Sequence, residues 1–343
     1  MKSKNQSILR RRRPQLLAVM SGIILFAILL VATQCSRPTP QQLPVVRLNI
    51  VTWPGYGPIY LAKNKGFFKE EGIEVDCQIQ ENTQARHSAL ISGEIDLIGI
   101  TLESVILASA QGIPMQVIGV TDISNGGDGI VARKEINSIA DLKGKRVAFP
   151  EGQPSHLFLL YQLNKAGLSV GDIKPVFTDD AGKAGELFAA GQVDAAVTWE
   201  PWLSQVVKTG KGQVLVDSKG VKDILVGILA GHRDRIPAET DKLQRFLRGW
   251  YRGLQYASEH PDESIPIMAD GFQLPPEEFK SIMQGLRFIS KDEAKSMLGA
   301  DGSKGSFYDI TQYEGQLWQK AKVMQNPVDP DLVYTNRIIS GVK

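Results

Sequence analysis

From Val45 to about Pro237, short apolar runs alternate with amphipathic stretches along the chain. Runs such as "VVRLNIVTW", "IDLIGI" and "DAAVTW" have the length and β-branched content of buried strands, and stretches such as "PSHLFLLYQLNKAG" carry apolar residues at helical spacing. Several predicted helices end at Gly, which supplies the positive φ that closes a helix. The alternation predicts an α/β protein with largely parallel sheets, and after Pro237 the pattern predicts helices only.

One local unit occurs twice in the sequence. Gly93 to Asp96 and Gly191 to Asp194 each form a Gly-x-x-Asp turn between a predicted helix and an apolar run. The first run ends at Thr101 in "IGITLES", and the second ends at Trp199 and Glu200 in "VTWEPW". Ligands of open α/β sheets bind at the carboxyl ends of the strands. We therefore interpret the indole and the carboxylate that end the second strand as residues of a binding cleft.

Two extended apolar segments, "DGIVARKEI" and "KDILVGILAGHRD", lie far apart in the sequence and differ from the β-α units around them. If each crosses between two β-α lobes, residues 45–130 and 226–343 form the first lobe and residues 131–225 form the second. Two such lobes would enclose a cleft lined by strand ends, the usual place for a small-molecule site.

The N-terminal segment has the pattern of an export signal. Lys2, Lys4 and Arg10 to Arg13 precede an uncharged apolar stretch, Leu16 to Ala32, and the polar "TQCSRPTPQQLP". The apolar stretch is near the lower limit for a spanning helix, for which ~20 residues are typical, so an uncleaved membrane anchor is an alternative. Cys35 lies where a bacterial lipoprotein carries its lipidated cysteine. Lipidation, a plain anchor, conventional cleavage and an incidental cysteine all stay open for residues 1–35.

Charge and cysteine content narrow the function class. Residues 1 to 34 hold six of the 39 Lys and Arg residues and none of the 37 Asp and Glu residues, so the rest of the chain is mildly acidic. An acidic surface disfavours nucleic acid as a partner. If Cys35 serves as an anchor, Cys77 is left without a second cysteine, which excludes an internal disulfide or a two-cysteine metal site.

Five stretches, in order between about Leu48 and Arg235, carry a family resemblance: "GPIYLAKNKGFFKEEGIEV", "ALISGEIDL", "ASAQGIPMQVIG", "IADLKGKRVAF" and "LFAAGQVDAAVTWEPW". Together they closely resemble the nitrate/sulfonate/taurine type of substrate-binding protein from bacterial ABC importers. "SNGGDGIV", "PSHLFLLYQL" and "VTWEP" are most similar to the branch associated with urea carboxylase gene clusters. The resemblance implies a type II periplasmic-binding-protein fold, in which two α/β lobes close on a small solute, with a helical C-terminal part.

The resemblance also implies a role. Such a protein is an extracytoplasmic monomer that delivers its solute to an ABC permease and ATPase, without a cofactor, a metal or catalysis. One alternative is a thiamine-pyrimidine-related binding protein or enzyme of the same fold, but those enzymes use a cysteine-rich motif and an active histidine that this sequence lacks. Another is the effector domain of a transcription regulator, which an export signal contradicts.

Residues near predicted strand ends and helix starts are the candidate ligand contacts: Trp53, Gly55, Tyr56, Thr101, Asn125, Asp128, Ser155, Asp180, Trp199 and Glu200. Several have an alternative structural role. The aromatic residues could be lobe packing, Ser155 and either Asp179 or Asp180 could be helix caps, and Glu103 is an ordinary acid of a first helical turn. No metal site is predicted, because His156 has no His, Cys or carboxylate at ligand spacing.

Opposing features bear on the charge of the solute. Acidic candidates such as Asp128 and Glu200, beside the indoles of Trp53 and Trp199, favour a nitrogen-rich cation or a urea-like hydrogen-bond donor. Free amides at helix N-termini, and Lys residues near the cleft, favour an anion of the sulfonate or nitrate type. We expect the nitrogen-rich cationic or urea-like solute, and a sulfonate- or nitrate-type anion is the alternative.

Overall fold

The computed structural model describes residues 42–221, 224–300 and 302–343. The predicted export segment, residues 1–35 with Cys35, lies outside the described residues. In the described ranges, no helix has the length and apolar character needed to cross a membrane.

The strands follow the predicted apolar runs closely. They are β1 (Val45–Ile50), β2 (Glu74–Ile79), β3 (Leu97–Thr101), β4 (Met115–Ser124), β5 (Asp128–Ala132), β6 (Arg146–Pro150), β7 (Lys174–Thr178), β8 (Ala195–Trp199), β9 (Gln213–Asp217), β10 (Val226–His232) and β11 (Leu286–Phe288).

Helices fill the intervals between strands and most of the chain after residue 240. They are α1 (Gly57–Asn64), α2 (Phe67–Glu70), α3 (Thr83–Ser92), α4 (Leu102–Ala110), α5 (Pro154–Lys165), α6 (Ala181–Ala189), α7 (Trp202–Lys208), α8 (Thr240–Glu259), α9 (Pro261–Gly271), α10 (Pro276–Ile282), α11 (Lys291–Met297), α12 (Ser306–Lys320), α13 (Pro330–Val333) and α14 (Arg337–Ser340).

The strands form two sheets within one compact unit, Pro44–Lys343. The first sheet has the order β11-β4-β10-β3-β1-β2, and the second has the order β7-β6-β8-β5-β9. The β-α strands pair in parallel, β1 with β2 and β3, and β6 with β7 and β8. The two extended segments that we interpreted as crossings differ, because β10 is antiparallel to β3 and β4, and β5 is antiparallel to β8 and β9.

The chain changes sheet at two places. It leaves the first sheet after Ser124 and enters the second at Asp128, and it returns between Asp217 and Val226. Asp128, the first residue of β5, therefore lies where the chain crosses. The division into lobes at residues 130 and 225 stays a prediction.

The C-terminal part contains a strand that the sequence pattern did not predict. Strand β11 is only three residues long, too short to show alternation, and it pairs antiparallel with the end of β4. This pairing places the carbonyl of Gly285 beside the first crossing, where it accepts hydrogen bonds from the backbone N–H groups of Asn125 at 2.8 Å and Gly127 at 2.7 Å. The C-terminal part thus holds the crossing loop.

The repeated Gly-x-x-Asp turns perform the same task in both sheets. Asp96 accepts hydrogen bonds from Arg47 through its backbone N–H at 2.8 Å, Nε at 3.2 Å and Nη2 at 3.0 Å. Asp194 accepts the same three bonds from Arg146, at 2.9, 3.2 and 3.0 Å. Each Asp therefore fixes the strand it precedes, β3 or β8, to the first strand of its β-α series.

We predict that Asp194→Asn lowers the free energy of unfolding at pH 7 by about 1 kcal/mol, because it removes a charge-assisted bond from a half-exposed arginine. Hydrogen bonding from Arg146 lowers the pKa of Asp194 to about 2, so the folded state favours the ionised carboxylate. That stabilisation is present above about pH 4 and is lost as the pH falls toward 2.

Urea unfolding of the wild type and Asp194→Asn between pH 7 and pH 2.5 measures this. The difference in stability should shrink over the acidic part of that range. The variant Asp270→Asn, at an exposed carboxylate, is the control and should show no such pH-dependent difference. A constant difference at all pH values would contradict the role of the charge.

Candidate functional site

A small pocket lies where strand ends of the two sheets meet. Its free volume is about 40 Å³, on a measure by which one water needs ~10–15 Å³. The space suits a small, compact solute. The lining residues come from both sheets and their loops: Val51, Trp53, Tyr56, Glu81, Thr83, Arg86, Ile100, Thr101, Ser104, Asp122, Ser124, Asp128, Gln153, Pro154, Trp199 and Leu225.

Trp53 and Asp122 form the floor of the pocket on the side of the first sheet. The Trp53 indole Nε1 donates to Asp122 Oδ1 at 2.8 Å, and the hydroxyl of Thr121 donates to Oδ2 at 2.8 Å. Burial raises the pKa of Asp122 to about 6, although the two hydrogen bonds act to lower it. Sequence reasoning missed Asp122, although a lone acid inside the apolar run "MQVIGVTDIS" was a signal.

Gly55 and Tyr56 support this floor. A Cβ at Gly55 would lie 2.4 Å from both Asp122 Oδ2 and Trp53 Nε1, so only glycine leaves room for their hydrogen bond. The Tyr56 hydroxyl donates to the carbonyl of Ile100 at 2.9 Å, so it serves the packing of β3 while its ring lines the pocket.

Helix α4 begins at the pocket with two hydroxyl side chains. Thr101 and Ser104 both line the pocket, and both hydroxyls donate to Oε1 of Glu103, the Ser104 bond being 3.0 Å long. Glu103 is fully buried and does not line the pocket, and burial raises its pKa to about 7. The sequence predicts an ordinary acid in a first helical turn, but Glu103 also fixes the two hydroxyls that line the pocket.

Asp128 and Trp199 lie next to each other on adjacent strands of the second sheet. They are partners in the antiparallel register of β5 and β8, and both are buried and line the pocket. Burial raises the pKa of Asp128 to about 7, with a hydrogen bond from Ser124 acting in the opposite direction. Among the described residues, the Trp199 indole N–H has no hydrogen-bond partner.

Arg86 is a buried cation in the pocket wall that sequence reasoning missed. Its Nη1 donates to the carbonyl of Gly99 and its Nη2 to the hydroxyl of Thr83, both at 3.2 Å. In the described part of the chain, its Nε has no partner and no carboxylate lies within ion-pair distance. The signal was its position on the buried face of α3, three and four residues before Ala89 and Leu90.

The remaining predicted contacts do not line the pocket. Asn125 is exposed and accepts from the backbone N–H of Gly220. Asp180 caps α6 by accepting from Lys183 N at 2.7 Å. Glu200 accepts from the backbone N–H and the hydroxyl of Ser204 at the start of α7. Each of these side chains has a local structural task.

Ser155 is a different case. It is fully buried in the first turn of α5, its hydroxyl has no partner among the described residues, and its neighbours Gln153 and Pro154 line the pocket. The capping role that we considered for Ser155 is not observed, since the residue before Pro154 is the N-cap and α5 has no side-chain cap.

Comparisons with known proteins agree with this architecture. A family model described as "NMT1/THI5 like" matches residues 53–264. A putative binding protein of Brucella abortus is 24% identical over 296 residues, which is 85% of this chain and 90% of the relative. The taurine-binding periplasmic protein of Escherichia coli is 28% identical over 285 residues, which is 80% of this chain and 86% of the relative.

Solved structures share the fold. The alkanesulfonate-binding protein SsuA from Xanthomonas axonopodis pv. citri, bound to MOPS, has a TM-score of 0.70 at 22% identity, over 86% of this chain and 99% of that protein. The desulfurization enzyme DSZB has a TM-score of 0.61 at 16% identity, over 85% and 97%.

These findings confirm the predicted resemblance and the predicted periplasmic-binding-protein fold. They also confirm the predicted class, a solute-binding protein, and do not favour the thiamine-related alternative. Since the family match covers more than half of the chain, the chain belongs to the NMT1/THI5-like family.

Proposed function

We propose that the chain is the extracytoplasmic solute-binding component of an ABC importer and that it is not an enzyme. The observation that carries the proposal is a small pocket between two sheets whose wall holds two buried polar atoms with no partner among the described residues, Arg86 Nε and Trp199 Nε1. Buried donors without partners are costly, and a bound solute that accepts hydrogen bonds would satisfy such groups.

The pocket chemistry supports binding rather than catalysis. An enzyme of this fold exists, but the described lining of this pocket contains no Cys, His or Lys. The hydroxyls of Thr101 and Ser104 donate to a carboxylate rather than to a histidine, so the usual pair of nucleophile and base is not formed.

The solute that fits best carries both an accepting and a donating group. Arg86 and the Trp199 indole supply donors, which suit a sulfonate, a carboxylate or a carbonyl. Asp128 supplies a buried carboxyl group, which suits an ammonium or another N–H donor. The pocket therefore has groups that suit both the cationic and the anionic solute considered from the sequence. We propose a small zwitterion of the aminosulfonate or amino acid class.

The proposed setting follows from the same role. The folded part lies outside the cytoplasmic membrane as a monomer and delivers its solute to a permease and an ATPase. Residues 45–130 with 226–343 and residues 131–225 act as two lobes. Residues 1–35, with Cys35 lipidated or as a plain anchor, would hold the protein at the membrane.

We predict that the full-length chain binds taurine at least ~10-fold more tightly than either ethanesulfonate, which lacks the ammonium, or ethylamine, which lacks the anion. Each missing charge-assisted hydrogen bond costs about 1.5 to 3 kcal/mol. Titration calorimetry measures the three affinities. Equal binding of taurine and ethanesulfonate would contradict the zwitterion and leave a plain anion as the solute.

The variants Arg86→Gln and Trp199→Phe test the two donors. Each should weaken taurine binding by at least ~5-fold, since Arg86→Gln removes the positive charge with the Nε donor and Trp199→Phe removes the indole N–H, while each keeps much of the side-chain volume. Arg245→Gln, on the outer surface of α8, is the control for loss of an arginine and should bind as the wild type does. Wild-type affinity in both pocket variants would exclude this pocket as the site.

Ammonium binding at Asp128 should depend on pH. With the pKa of this buried carboxyl at about 7, the group is largely protonated below that pH in the empty pocket and ionised above it. A cationic group needs the ionised form, so taurine affinity should rise between pH 6 and pH 8, with release of a proton on binding at the lower pH. Calorimetry in buffers of different ionisation enthalpy detects that proton, and Asp128→Asn should flatten the profile.

A further inference from the structure

We propose that Glu103 is a positioning residue that sets the hydrogen-bond polarity of the pocket at the start of α4, so that this part of the pocket selects solute groups that donate hydrogen bonds. The proposal rests on the proposed binding role and concerns the specificity of the same site.

Thr101 and Ser104 both line the pocket, and both donate their only hydroxyl proton to Oε1 of Glu103. A hydroxyl has one proton to donate and two lone pairs to accept with. Once the proton is directed to Glu103, only lone pairs are left for a solute. These two side chains therefore act as acceptors toward the pocket, although serine and threonine in general can do either.

Glu103 also neutralises the start of the helix. The first turn of a helix presents free backbone N–H groups and a partial positive charge, which attract anions. Glu103 lies in that first turn and is fully buried, with its carboxylate Oε1 bound by the hydroxyls of Thr101 and Ser104. The start of α4 is therefore occupied by the protein's own acid and is closed to an anionic group of the solute.

Charged and titratable groups face Glu103 from several neighbouring elements. The positive charge of Arg86, on α3, favours the ionised form of Glu103. The negative charge of Glu103 in turn raises the pKa of three acids around it: Glu314 on α12, Asp128 on β5 and Tyr56. Glu314 is fully buried, both of its oxygens are without partners among the described residues, and burial raises its pKa well above the usual range. A neutral Glu314 leaves Glu103 as the ionised member of this pair above pH 7, which is the state that accepts from both hydroxyls.

The test uses two probes that carry the same charges. Taurine has an ammonium with N–H donors, and N,N,N-trimethyltaurine has a quaternary ammonium with none. At pH 8 the full-length wild type should bind taurine at least ~10-fold more tightly than the trimethyl compound. Glu103→Leu should reduce this ratio at least ~5-fold, because the two hydroxyls then become free to donate. Glu103→Gln, which keeps the shape and an accepting oxygen, should retain the ratio.

The ratio separates selectivity from folding, because a merely structural loss at Glu103 would weaken both probes equally. Thr101→Val with Ser104→Ala provides an independent arm if Glu103→Leu does not fold, and it should lower the ratio in the same direction. An unchanged ratio in these variants, with taurine binding intact in the wild type, would overturn the inference alone. Failure of the wild type to bind either probe would overturn the inference and the proposed solute class together.

Discussion

A buried charge loses its hydration and needs partners inside the protein, and this constraint determines how the pocket is built. Asp122 is held by the Trp53 indole and the Thr121 hydroxyl, and Glu103 by the hydroxyls of Thr101 and Ser104. Most polar atoms of the wall are therefore committed to one another. The groups that stay open to a solute are the Arg86 guanidinium, the Trp199 N–H, the carboxyl of Asp128 and the lone pairs of the Thr101 and Ser104 hydroxyls. They determine which solute the pocket accepts.

The same constraint connects the pocket to the crossing between the sheets. The Ser218 hydroxyl, on the returning crossing, lies 2.7 Å from the Ser124 hydroxyl and accepts from the backbone N–H groups of Gly126 at 2.7 Å and Asp128 at 3.3 Å. Both crossings are thus joined by one side chain directly behind Asp128. A solute that contacts Asp128 acts on the residue at which the chain passes from one sheet to the other.

Sequence reasoning recovered the parts of this structure that depend on local pattern. The apolar runs gave the long strands, and the Gly-x-x-Asp repeat corresponded to a real repeated interaction, since Asp96 and Asp194 bind Arg47 and Arg146 in the same way. Strand β11 could not be found this way, because three residues carry no period and its pairing is made with a strand more than 150 residues earlier.

Individual pocket residues were harder to predict for a physical reason. A polar residue near a strand end can serve the cleft or cap the next helix, and the sequence looks the same in both cases. Trp53, Tyr56, Thr101, Asp128 and Trp199 line the pocket, whereas Asp180 and Glu200 bind backbone N–H groups of α6 and α7. Arg86 and Asp122 were missed because they lie inside a helix and a strand, and burial, which the sequence does not show, is what makes them notable.

The two copies of the repeated unit show how one design gives two different walls. In each copy an acid follows the strand closely, Glu103 after β3 and Glu200 after β8. Glu103 accepts from two hydroxyls that line the pocket, whereas Glu200 accepts from Ser204, which does not line it. The first copy therefore contributes fixed hydrogen-bond acceptors, and the second contributes the indole of Trp199, whose N–H has no partner in the described part of the chain. If the proposed binding role holds, the solute meets a wall of acceptors on one side and an aromatic donor on the other, and a molecule with two chemically different ends suits both walls.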